Sequence, residues 1–151
     1  MNIMHRLKYS LVLALGLMLA TLGQCVPAVA QTRVSDDIPK ILLSGLDAYK
    51  AEGADAAIKA WIKGSSLEGS KDVLSEANIL RQVQDFYGSY KNFELIHTRN
   101  LTPSIKIIYL ALDYERGPLF AKFVVYQKEQ AWILTGFTFN TKEELVIPPS
   151  L

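Results

Sequence analysis

Residues 104–140, SIKIIYLALDYERGPLFAKFVVYQKEQAWILTGFTFN, decide the fold. In Ser104–Asp113 one parity carries Ile105, Ile107, Tyr109 and Ala111, and the other Lys106, Ile108, Leu110 and Leu112. In Pro118–Lys128 the sets are Leu119, Ala121, Phe123, Val125 and Phe120, Lys122, Val124, Tyr126. In Ala131–Asn140 they are Ala131, Ile133, Thr135, Phe137, Phe139 and Trp132, Leu134, Gly136, Thr138. β-Branched and aromatic residues dominate all three runs, as on a pleated surface. Glu115-Arg116-Gly117-Pro118 and Lys128-Glu129-Gln130 supply turns, and connections this short join antiparallel neighbours. Both faces keep large apolar side chains, whereas a sheet covered on one side alternates apolar with polar. One face is therefore expected against helices. The other needs a second copy of the chain, a ligand, or a curve of the sheet over itself.

Upstream, Lys91–Asn100 reads as a further strand, and Thr102-Pro103 as the turn that leads into the sheet. Three helices precede it. Asp36 or Asp37 can cap the first, with Pro39 in its opening turn and Ile38, Leu42, Leu46 and Tyr49 on one face, and Gly53 stops it. Ala54, Ala57, Ile58, Trp61 and Ile62 make the apolar stripe of the second, which ends at Gly64. Asp72 or Ser70 opens the third, which runs to Tyr87 with Val73, Ala77, Leu80, Val83, Gln84 and Tyr87 near one face, and Gly88 breaks it. The fold class expected is α+β: three N-terminal helices packed on a curved four-stranded antiparallel sheet.

The first 30 residues read as an address. Arg6 and Lys8 precede the apolar run Leu11–Leu22, and Ala28-Val29-Ala30 is a small-x-small cleavage site, so residues 1–30 are a secretory signal peptide cleaved after Ala30. The run is about half the roughly 20 residues a spanning helix needs, so no stable membrane anchor is expected after cleavage. Gln24 before Cys25 fits a lipoprotein signal poorly. Cleavage removes two cations and no acid from a chain of net charge +1, leaving it near −1, and it removes the single cysteine. Residues 31–151 then form a single α+β domain held by its core without disulfides, which suits a bacterial periplasm better than a disulfide-dense extracellular setting. The balanced charge argues against nucleic acid.

Few residues carry chemistry. Gly64-Ser65-Ser66-Leu67-Glu68-Gly69-Ser70-Lys71 has a phosphate loop's glycines, but the lysine falls one place late and no strand feeds it, so it reads as a hinge between helices. His97 is the only histidine after cleavage, and without cysteine it cannot anchor a metal site; no metal and no cofactor is expected. Its parity mates Phe93 and Leu95 suggest a structural role. Asp113 and Glu115 lie two apart beside a turn, where paired carboxylates do acid–base work only if one is desolvated. Asp113, Tyr109 and His97 are the candidate catalytic residues. Trp61, Tyr87, Tyr109, Phe120, Tyr126 and Trp132 are the candidate ligand-binding aromatics, which otherwise serve as core. Asn100-Leu101-Thr102 is a glycosylation sequon without meaning in a bacterial host.

Three helices followed by a curled meander resemble the NTF2-like (cystatin-like) superfamily over residues 36–145. The runs Gly53-Ala54-Asp55-Ala56-Ala57-Ile58-Lys59-Ala60-Trp61 and Tyr114-Glu115-Arg116-Gly117-Pro118-Leu119-Phe120 are similar to those of small exported bacterial proteins of unassigned function. The resemblance implies a sheet curled around a cavity and an outer sheet face that makes dimers. It transfers no catalytic set, so it implies a scaffold and not a reaction. The functional expectation is an exported, non-enzymatic module that binds a small apolar ligand or a protein partner, with a homodimer through the outer sheet face. The alternative is a small cone-fold hydrolase or isomerase using Asp113 and Tyr109.

Overall fold

The computed structural model describes residues 37–151. The signal peptide, the lead-in that follows it and the capping role of Asp36 lie outside the described residues. Three helices come first: α1 (Lys40–Glu52), α2 (Ala54–Ile62) and α3 (Lys71–Tyr87). Four strands follow, β1 (Tyr90–Thr102), β2 (Ile105–Tyr114), β3 (Pro118–Lys128) and β4 (Ala131–Asn140), then a short 3-10 turn at Glu143–Leu145. The sheet is an antiparallel meander in the order β1-β2-β3-β4. This is the α+β architecture expected from the alternation of residues 104–140.

Local chemistry sets the helix ends. Pro39 stands just before α1 rather than inside its first turn; its backbone is extended (ψ 140°), and its carbonyl accepts from the N–H of Leu42 and Leu43. Gly53 both ends α1 and starts α2. Its φ of 92° lies in the left-handed region that glycine tolerates, which lets one residue reverse the chain between two helices. Ser70 caps α3, its hydroxyl accepting from Asp72 N–H at 3.3 Å. The glycine-rich segment 64–69 links α2 to α3, and the Glu68 carboxylate accepts the Gly64 N–H at 3.0 Å.

Strand register settles which sheet face meets the helices. Ile108, Leu110 and Leu112 of β2 lie opposite Phe123, Ala121 and Leu119 of β3, and Phe137 and Phe139 of β4 continue the same rows. All but Phe137 are fully buried, and they join Leu42, Leu46, Trp61, Ala77 and Leu80 of the helices in one core. At its centre the Trp61 ring meets Phe123 edge-on at 5.0 Å and Phe139 at 5.9 Å. On α3 the apolar stripe is Val73, Ala77, Leu80 and Val83; Gln84, expected near that face, is exposed. Bulges at Ile96 in β1 and at Thr135 in β4 shift the register of both edge strands. Irregularities of this kind bend and twist a strand.

Candidate functional site

Two surfaces gather the residues that could act: a groove beside β4 and the sheet face turned away from the helices. The groove follows from the third helix. Ile79, Val83 and Phe86 fall at helical spacing on the flank of α3 that leans over the end of β4. Together with Gln82, Tyr87, Phe139, Asn140 and Thr141 they line an open cavity of about 340 Å³. Phe86 is 73% exposed there, unusual for so large an apolar ring, and it lies 5.3 Å from the Tyr87 ring. Glu76 stands one turn before Ile79, and its Oε2 accepts the Phe139 backbone N–H at 3.1 Å. Burial raises the Glu76 carboxyl above its ordinary value, an effect the Phe139 hydrogen bond partly opposes.

The second surface carries the sequence-predicted catalytic residues. Tyr109 lies directly between His97 of β1 and Lys122 of β3 on the outer face. It is only 3% exposed, yet it stands outside the helix-facing core. His97 is exposed. Asp113 shares the Tyr109 parity but sits four residues along β2, opposite Asn92 and Pro118, about 13 Å away at the rise of a strand. The structure therefore brings Tyr109 and His97 side by side and leaves Asp113 apart, whereas acid–base transfer needs hydrogen-bond reach. Lys122, the other neighbour of Tyr109, escaped sequence reasoning because only strand register reveals it. Glu115 pairs with Lys91 at 2.8 Å, and that ion pair lowers its carboxyl below the usual value.

The six candidate aromatics do not line one pocket. Trp61 is fully buried, and its Nε1–H donates to the Leu42 carbonyl at 3.0 Å. Trp132 is half-buried at the far end of the helix side, with the Lys106 ammonium 5.0 Å from its ring centre. Tyr87 borders the groove. Tyr109, Phe120 and Tyr126 lie on the outer face, where Tyr126 is 42% exposed. A separate cluster joins α1 to the sheet: the Tyr49 and Tyr114 hydroxyls are 2.6 Å apart, and the Tyr90 ring stacks on Tyr49 at 4.8 Å. Among the described residues no three His, Cys, Asp or Glu side chains gather as a metal site requires. No described helix is long and apolar enough to cross a membrane. Of the groove, sequence reasoning found Tyr87. The signal it passed over is Phe86, a large apolar residue off the core stripe of α3.

Three helices laid on one face of a four-strand antiparallel meander define an α+β domain. No protein-family model matches the sequence, and no curated protein matches it. Among solved structures the chain is similar to a domain of unknown function with a cystatin-like fold from Nostoc punctiforme. That likeness has a TM-score of 0.47 and 14% identity, over 74% of this chain and 78% of that one. It is also similar to a calcium/calmodulin-dependent protein kinase type II association domain from Thiobacillus denitrificans, with a TM-score of 0.40 and 15% identity over 66% of this chain and 94% of that one.

Proposed function

We propose that this chain is an exported, periplasmic, non-enzymatic binding module that holds a small apolar molecule in the groove between α3 and β4. The observation that carries the reading is the groove's lining. Ile79, Val83, Phe86 and Phe139 give it apolar walls, and no carboxylate, histidine, lysine or arginine is among its lining residues. Its volume falls at the small end of the range for small-molecule sites. The test is a thermal-shift titration with small apolar alcohols and indoles. A saturable rise in Tm is expected, and it is lost in Phe86→Ala, whose exposed ring contributes little to the core. No shift with any such compound would remove the reading. Export rests on Arg6, Lys8, the apolar run Leu11–Leu22 and the Ala28-Val29-Ala30 site. Mass spectrometry of a periplasmic fraction is expected to find a chain that begins at Gln31; an uncleaved chain in the cytoplasm would overturn it.

A second, compatible reading is a homodimer through the outer sheet face. It is supported by the large apolar side chains that this face leaves partly exposed: Ile107 of β2, Phe120, Val124 and Tyr126 of β3, and Ile133 of β4.

A further inference from the structure

We propose that the outer sheet face carries an anion site at the row His97–Tyr109–Lys122–Thr138, and that its ligand is the carboxylate of an apolar acid. Strand register sets these four residues side by side, one from each strand, at a single level across the sheet. Side chains directly opposed across strands have Cβ atoms about 5 Å apart, so the row is continuous. Each member can donate, through an imidazole N–H, a phenol, an ammonium and a hydroxyl in turn. The side-chain hydrogen bonds of the four strands belong to Lys91, Thr102, Tyr114, Thr135 and Asn140, and leave this row unengaged. Tyr109 is only 3% exposed, yet its hydroxyl is not cut off from solvent. Among the described residues the unpartnered side-chain polar atom so enclosed is the Thr98 Oγ1.

Lys122 makes this row a site for an anion rather than for a neutral ligand. It is half-buried in the middle of the face, with Phe120 and Val124 on either side of it along β3. The ion pairs among the described residues are Arg81–Asp55 and Lys91–Glu115, so Lys122 has no counter-charge. The carboxylates of this face stand at its margin: Glu94 opposite Ala111 on the edge strand, and Asp113 opposite Pro118 at the end of β2. At ordinary strand spacing and rise they lie roughly 12 Å and 14 Å from Lys122 along the sheet. Arg99, opposite Ile107 on the next level, adds a second cation without an ion pair. Solvent screens a half-buried ammonium less than an exposed one, which strengthens its pull on an anion. Beside the row, Ile107, Val124, Tyr126 and Ile133 offer an apolar track for the rest of the ligand. The site is separate from the α3–β4 groove and stands without it. A bound acid and a second copy of the chain would compete for this face.

The test is a pair of NMR titrations of the full chain with octanoate and with 1-octanol, at neutral pH and low salt, following the backbone amides of Tyr109, Lys122 and Thr138. Octanoate is expected to move them with an affinity about tenfold above that of octanol, the scale of a charge-assisted hydrogen bond on a partly screened face. The preference should shrink as salt is added. Lys122→Met keeps the apolar stem and removes the charge, so the preference should fall toward unity. Tyr109→Phe removes one donor and should weaken octanoate several-fold. Octanol binding the row as tightly as octanoate in the unmodified chain would overturn the anion site, and this comparison needs no variant to fold. Octanoate shifts confined to Ile79, Phe86 and Phe139 would overturn it too, while leaving groove binding intact. A preference unchanged in Lys122→Met has the same force. Amides of the row that move with protein concentration and ignore octanoate would give the face to a second copy instead.

Discussion

Gly45 occupies the middle of α1, where glycine is a poor helix former by about 1 kcal/mol relative to alanine. Its presence is explained by Trp61: a Cβ at this position would overlap the indole ring, whose Nε1–H bonds the Leu42 carbonyl of the same helix. Space outweighs propensity here, because the ring is enclosed on its other side by Phe123 and Phe139. Gly45→Ala is therefore expected to destabilise the fold by about 2 kcal/mol, the usual scale for overpacking a filled core. Urea unfolding measures it, and an increase in stability would contradict this packing. The tyrosine cluster gives a second prediction at this scale. Tyr49 donates to the Leu80 carbonyl at 3.4 Å, so its single proton is engaged and Tyr114 donates to Tyr49. Burial, above all, pushes the Tyr49, Tyr90 and Tyr114 phenols above their ordinary value. Because the folded values lie above the unfolded one, the neutral phenols favour the fold. That contribution is complete below about pH 10 and is lost as pH rises past it. Unfolding followed from pH 8 to 11 should show a steep alkaline decline that Tyr114→Phe makes shallower.

At the scale of elements, the punctuation of the chain was legible and its faces were only half so. Gly53, Ser70 and Gly88 mark helix ends in the sequence because each relieves a backbone constraint that neighbouring residues alone create. Ser70→Ala removes the α3 cap and is expected to cost about 1 kcal/mol, seen as a lower urea midpoint with an unchanged m-value. A change in m would mean that α3 detaches rather than weakens. Strand alternation was also legible, and β3 and β4 have the bounds the sequence predicts. What alternation could not give was the bulges at Ile96 and Thr135, since a bulge depends on the partner strand. The bulge at Ile96 decides that Thr98, not His97, lies opposite Ile108 on the helix side, and so places His97 outward beside Tyr109. The expectation that His97 follows the parity of Phe93 and Leu95 is corrected for that reason.

For the whole molecule, the open question in the sequence was what meets each sheet face. The helices take the face of Ile108, Leu110, Leu112 and Phe123. The opposite face spans about 600 Å² at ordinary strand spacing and rise. That is below the roughly 800 Å² per partner of a standard stable interface. A homodimer through this face should therefore be a weak one. Sedimentation at tens of micromolar should give about twice the monomer mass, dissociating on dilution, and Tyr126→Lys should abolish the association without changing the fold. A monomer at every concentration would remove the dimer. The α3–β4 groove belongs to this scale too. It exists only because a helix flank and a strand end from distant parts of the chain lie together, so the off-stripe Phe86 is the one local sign of it that the sequence carries.

The sequence by itself determined the succession of helices and strands and their turns, because those follow from steric and hydrogen-bonding preferences within a few residues. Only the tertiary structure decided which face is core, which aromatics share a surface, and that Asp113 stands apart from Tyr109 and His97. Those facts depend on strand register and helix docking, and both are set by the packing of residues far apart in the chain.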